Sequence, residues 1–186
     1  HPHFLFNALN TVYFQIDESN KAPRRTLEMI SELLRYQLYG GNQKVSILQE
    51  IDYLKTYIAL RKLRMSERLR LRVEFPPELN ELNIYPLLFL PLVENAFKYV
   101  GGDYQLDIIM KWENNRISLF IRNSIPELSA EDEALRKSVD ERQRKGIGLV
   151  NLRRRLSLLY PNKHRLETRK EETEFVAELM IEIEDI

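Results

Sequence analysis

A chain of 186 residues that is 44% apolar can build one medium domain, or a small domain joined to a larger one. Its 28 basic and 28 acidic side chains cancel, so no net field draws it to nucleic acid or to an acidic membrane surface. It has no cysteine, which excludes disulfides and thiolate metal sites and fits a reducing compartment.

The chain starts on "HPHFLFNALN", without an initiator methionine. No apolar run approaches the roughly 20 residues that a membrane-spanning helix needs, and no signal peptide is visible. The expectation is a cytoplasmic piece of a longer protein. Residues 1–16 read as a helix with Leu5, Ala8, Leu9, Val12 and Ile16 on an apolar stripe. His3, Asn7 and Asn10 follow at i, i+4 and i+7, so an imidazole with carboxamide neighbours stands on an adjoining ridge. "DESNKAP" at 17–23 is a polar break, with Pro23 suited to a first helical turn. A second helix carries Leu27, Ile30, Leu33, Leu34 and Leu38 and stops at Gly40-Gly41. Such a hairpin is too thin to bury both stripes, and a second copy would complete a four-helix bundle. Ser46 caps a third helix, with Gln49 or Glu50 near the capping-box position and Ile47, Ile51, Leu54, Ile58 and Leu63 along one face.

From Leu69 onward the apolar period becomes two. "LRLRVEF" alternates, as do Leu106, Ile108 and Met110, then Ile117, Leu119 and Ile121. The last strand sets Phe175, Ala177, Leu179, Ile181 and Ile183 against Glu178, Glu182 and Glu184. Helices are expected at 86–100 and 146–160, and the polar stretch 124–145 between strand and helix reads as a functional lid or a disordered loop. There is no internal repeat. The fold class expected is α+β: a mixed sheet with helices on one face and water on the other.

"PLVENAFKY" puts Glu94, Asn95, Lys98 and Tyr99 on an otherwise apolar helix, Asn95 and Lys98 on one side at i, i+3. A carbonyl oxygen beside an ammonium suits a Mg²⁺-bound polyphosphate; the same residues also suit the solvated edge of a buried helix. "KGIGL" at 145–149 joins the polar stretch to a helix start, where glycines permit close backbone approach and the helix N-terminus favours anions.

"PHFLFNALN", "PLVENAFKY" and "GIGLVNLRRRLSLLYP", in this order and spacing, resemble the LytS/YesM-type sensor histidine kinases over nearly the whole chain. The resemblance implies a phosphoacceptor hairpin at 1–43 and an ATP-binding domain at 44–186 with the fold shared by gyrase, histidine kinases and MutL. It implies that His3 accepts the phosphoryl group of ATP, that Asn95 binds Mg²⁺, and that Lys98 and Tyr99 contact phosphate or lid. Gly146, Ile147, Gly148 and Leu149 would flank the triphosphate. The partners implied are a second copy of the chain and the receiver domain of a response regulator, whose aspartate takes the phosphoryl group. The parent would be a membrane sensor, without direct membrane contact from this part. Two departures stand out. His1 replaces a common asparagine two residues before the phosphoacceptor, and Asn123-Ser124-Ile125 stands where relatives carry an Asp-x-Gly motif for adenine.

In chemical terms a neutral imidazole is the nucleophile and catalysis is chiefly positioning and charge stabilisation. Phe4, not an acid, follows the histidine, so Glu94 is the candidate for orienting or deprotonating it. Asn7, one turn on, either holds a water or orients the regulator's aspartate, or merely solvates the hairpin. Three rivals remain. One is a dimeric ATP-sensing pseudokinase that transfers nothing. Nucleic-acid binding through Arg153, Arg154 and Arg155 with Arg142, Arg144 and Lys145 is opposed by zero net charge and by consecutive arginines pointing apart on a helix. Zinc held by His1, His3 and His164 lacks further ligands at suitable spacing.

Overall fold

The computed structural model describes residues 2–39, 43–77, 79, 82–127 and 147–183. In chain order the elements are α1 (Pro2–Gln15), α2 (Lys21–Tyr39), β1 (Val45–Ser46), α3 (Ile47–Lys62), β2 (Arg70–Glu74), β3 (Asn83–Ile84), α4 (Leu90–Tyr99), β4 (Gln105–Glu113), β5 (Arg116–Ser124), α5 (Ile147–Leu159), β6 (His164–Lys170) and β7 (Glu174–Glu182). Two compact units emerge, His1–Met65 with Asn83–Leu87, and Ser66–Leu82 with Leu88–Ile186. The boundary expected at residue 44 does not coincide with this division, because α3 packs on α2 within the first unit.

In the first unit, α1 and α2 form the expected hairpin. The reversal is local: Asp17 accepts from the Ser19 amide at 2.8 Å, and Arg24 Nε donates to the Ile16 carbonyl at 3.2 Å, closing the end of α1. The apolar residues of α1 stay largely open, with Phe4 73% and Phe14 77% exposed. α3 starts in a capping box, where Ser46 Oγ accepts from the Leu48 amide at 3.3 Å and the Gln49 side chain accepts from the Ser46 amide at 3.2 Å. Gln49 thus fills the capping role and Glu50 turns inward. Ile47, Ile51, Leu54 and Ile58 bury the inner face of α3, and β1 pairs antiparallel with β3.

The second unit is a five-stranded mixed sheet in the order β2-β4-β5-β7-β6, with β2 parallel to β4 and the other neighbours antiparallel. Asn114 and Asn115, at φ 52° and 58°, supply the two left-handed residues that a tight β4–β5 hairpin needs. Period-two alternation then sends Leu106, Ile108, Met110, Ile117, Leu119, Ile121, Leu179 and Ile181 to one buried face. α4 covers β4 and β5, and α5 lies beside α4 and β6. The opposite face is charged, with Arg122 donating to Asp107 at 2.6 Å. Leu119 has no exposed surface, so Leu119→Ala should cost about 2–5 kcal/mol of stability. Leu158 on α5 is 73% exposed, and Leu158→Ala should stay within about 0.5 kcal/mol of the parent. Urea unfolding midpoints check both.

Three expectations are corrected. The helix expected at 86–100 starts only at Leu90, because Leu87 sits at φ 59° and cannot continue a right-handed helix; Pro91 occupies the first turn, where its missing amide costs nothing. The polar stretch expected from 124 starts later. Ser124 is the last residue of β5, and buried Ile125 donates its amide to the Thr173 carbonyl at 2.8 Å. Residues 128–146, with the expected lid and Gly146, lie outside the described residues. Finally, β6 is a strand that periodicity does not reveal. It lies at the sheet edge, where only Leu166 of "HRLETRK" is buried and charges face water, as edge strands require.

Candidate functional site

α4 buries Leu92, Val93, Ala96 and Phe97, which turns its polar residues away from the sheet. Glu94 and Lys98 are exposed, while Asn95 and Tyr99 are half-buried. Lys98 Nζ lies 5.0 Å from the centre of the Tyr99 ring. The helix ends with the Val100 amide on the Ala96 carbonyl at 2.9 Å, and the next residues are stapled to β5. Gly101 donates its amide to the Ser124 carbonyl at 3.0 Å, Ser124 Oγ donates to the Gly101 carbonyl at 2.6 Å, and the Gln105 amide donates to Ser124 Oγ at 2.9 Å. A Cβ on Gly101 would meet Pro126 Cδ at 2.9 Å, so only glycine fits. Sequence reasoning missed this staple; the adjacent glycines 101 and 102, the second at φ 60°, were its only local trace.

The staple brings the polar end of α4 to the last residues of β5, where Asn123 is 0% exposed. It shares the inner face with Ile121 and pairs across to Leu106. Its Nδ2 donates to the Ser124 carbonyl at 3.2 Å, and its Oδ1 accepts from no described group. Turning the amide over would set oxygen against oxygen, so the orientation follows from the contact. A buried carbonyl left without a donor costs about 1–3 kcal/mol, which marks Oδ1 as an acceptor awaiting an N–H.

At the start of α5, a Cβ on Gly148 would meet no described atom within 4 Å, so protein packing there does not demand glycine. Leu149 is half-buried; Ile147 opens the helix, and its side chain, like Gly146, is outside the described set. In the first unit His3 is a residue of α1, its side chain also outside that set, and Asn7 is exposed with its carbonyl accepting from Thr11 Oγ1 at 2.9 Å. The rival roles meet structural duties instead. His164 Nδ1 lies 2.7 Å from the Tyr160 carbonyl, and Arg153 donates to the Leu166 carbonyl at 2.9 Å.

A five-stranded mixed sheet with helices on one face is an α+β sandwich, and the polar end of α4 is tied within it to the last residue of β5. Residues 1–69 match the family model for histidine kinases. The chain is 29% identical over 170 residues to the sensor protein kinase HptS of Staphylococcus aureus strain USA300; the match covers 89% of this chain and 33% of that protein. The Acinetobacter baumannii histidine kinase AdeS is similar in fold, with a TM-score of 0.50, 13% identity, and coverage of 99% of this chain and 96% of that one. A crystal structure of full-length ShkA in complex with AMPPNP has a TM-score of 0.50 and 13% identity, covering 98% of this chain and 44% of that one. The chain spans about a third of the length of the curated relatives it matches.

Proposed function

We propose that the chain is the kinase region of a two-component sensor of the LytS/YesM type, which phosphorylates its own His3 from ATP and passes the phosphoryl group to an aspartate on a response regulator's receiver domain. The observation that carries this reading is Asn123 Oδ1, a buried acceptor without a described donor at the stapled end of α4. Adenine offers an exocyclic amine there, whereas guanine presents a carbonyl oxygen at the equivalent position. Asparagine accepts through a neutral bond where aspartate would accept through a charge-assisted one, so binding is real but weaker than in relatives with the acid. Asn123→Ala should weaken ATP binding about ten- to hundredfold, and Asn123→Asp should hold or improve it, with GTP weak throughout. Calorimetric titration of both variants with ATP and GTP tests this. ATP affinity in Asn123→Ala equal to the parent's would mean that another group reads the base.

The residues then divide the work. His3, in its neutral form, attacks the γ-phosphorus; an N–P bond forms as the P–O bond to ADP breaks, and the imidazole proton passes to a base. Glu94, exposed on α4, is the candidate for that proton, and Asn7, one turn beyond His3, orients the receiver aspartate or a water. The Asn95 side-chain oxygen suits Mg²⁺, a hard cation that shares its ligands with phosphate and water and supplies charge neutralisation when bound. Lys98 and Tyr99 contact phosphate or the lid. Gly146, Ile147, Gly148 and Leu149 flank the triphosphate, a role supported by the lack of any described atom within 4 Å of a Cβ on Gly148.

A second copy of the chain would cover Phe4, Leu5, Val12, Phe14 and Leu38, all exposed on the hairpin. No helix among the described residues is long and apolar enough to cross a membrane, and the region is assigned to the cytoplasmic side of a membrane sensor. One observation favours the second reading, an ATP-sensing module without transfer: bulky, buried Ile125 stands where relatives carry the glycine of their adenine motif.

A further inference from the structure

Glu50 has no exposed surface, and the chemistry proposed above makes no use of it. Removing a carboxylate from water is costly unless its oxygens are hydrogen-bonded. Oε2 takes two such bonds: the Tyr36 hydroxyl on α2 donates at 2.7 Å, and the backbone N–H of Leu87 donates at 2.9 Å. Tyr36 is itself held in place, stacked on Tyr53 of α3 with ring centres 4.7 Å apart. The neighbouring Gln37 side chain donates to the Tyr53 hydroxyl at 2.7 Å. Burial and the Glu50 carboxylate push the Tyr36 phenol far above its usual range, which keeps the hydroxyl a donor.

Leu87 is the unusual partner. Its φ of 59° lies in the left-handed region, where the Cβ of a leucine crowds the following carbonyl. A strained residue persists when its surroundings hold it there, and the Glu50 carboxylate grips the amide of this one. Leu87 is also where the chain leaves the helical unit, since Leu88 belongs to the sheet-bearing unit and α4 starts at Leu90. One carboxylate oxygen thus joins α2, α3 and the backbone three residues ahead of the helix that carries Glu94, Asn95 and Lys98.

We propose that Glu50 is a positioning residue: it latches the Leu87 turn to α2 and α3, and so fixes the backbone from which the chain runs on to α4. The consequence for phosphorylation rests on the reading of α4 given above; the latch itself does not.

Deuterium exchange of backbone amides, followed on the intact chain without nucleotide, separates the two. Parent, Glu50→Gln, Glu50→Ala and Tyr36→Phe are compared. A glutamine oxygen can accept both bonds, so Glu50→Gln should stay within about threefold of the parent. Glu50→Ala should speed exchange over residues 83–93 by about tenfold or more, with residues 105–124 unchanged. Tyr36→Phe removes a single donor and little volume, and should speed the same segment by about three- to tenfold. In autophosphorylation Glu50→Ala should lower kcat by about tenfold, with the KM for ATP near the parental value. Glutamine should rescue it. A role confined to packing would instead speed exchange throughout α2 and α3 and leave 88–93 at the parental rate, which overturns the proposal. If Glu50→Ala does not fold, Tyr36→Phe decides: parental exchange over 83–93 in that variant overturns it equally. The expected exchange pattern in a chain that never phosphorylates supports the latch and removes the kinase reading instead.

Discussion

His3→Gln is expected to abolish phosphorylation of the chain and leave its ATP affinity unchanged. A carboxamide has about the reach of an imidazole but no basic nitrogen lone pair, so the nucleophile is lost outright and not merely weakened. His3 is a residue of α1 in the helical unit, whereas Asn95, Asn123 and Gly148 all belong to the sheet-bearing unit. None of the residues proposed to bind nucleotide is therefore removed, and the dissociation constant should stay within about twofold. Incubation with γ-labelled ATP, followed by an acid and alkali stability test, reads the result: phosphohistidine is lost in acid and survives base. Label that persists on His3→Gln places the acceptor elsewhere. No label on the parent, with ATP bound, selects the sensing module without transfer.

The second large effect is expected at Asn95. Asn95→Ala should reduce ATP binding in the presence of Mg²⁺ to the level seen without it, because the variant loses the carboxamide oxygen proposed to bind the metal. Asn95 is half-buried, and the buried face of α4 is made by Leu92, Val93, Ala96 and Phe97, so the variant should fold. Its thermal midpoint should shift by only about 2–4 °C. Asn95→Asp keeps an oxygen ligand and should retain Mg²⁺-dependent binding. Titrating ATP with and without Mg²⁺ in the three proteins gives the answer, and an alanine variant that binds Mg-ATP as the parent does overturns the assignment. Circular dichroism shows whether the helix has survived.

Much of this protein was legible in local spacing. The first three helices, the period-two alternation of β4, β5 and β7, and the Ser46 capping signal each lie within a few consecutive residues and formed where they were expected, although Leu5, Val12 and Leu63 of the expected apolar stripes stay exposed. Local geometry explains why: a helix or strand presents its own residues at a fixed repeat, so a string of them carries the face it will bury. The candidate site was legible for a related reason. Asn95 and Lys98 share a side of α4 whatever that helix packs on, and Gly148 stands at a helix start under any tertiary arrangement.

What only the tertiary structure decided depends on pairs of residues far apart in the chain. "PLLFLPLVENAFKYV" is apolar over its first eight residues and reads as one helix. It starts only at Leu90, after Leu87 has taken a left-handed turn whose amide donates to a carboxylate 37 positions earlier. β6 carries no usable period because an edge strand has one neighbour and little buried face, and the β1–β3 ladder, two residues a side, is too short to have a period at all. Asn123 looked like a plain departure from a motif. The packing around β5 is what buries its oxygen without a described donor, since burial and hydrogen-bond satisfaction belong to the assembled neighbourhood and to no single stretch of sequence.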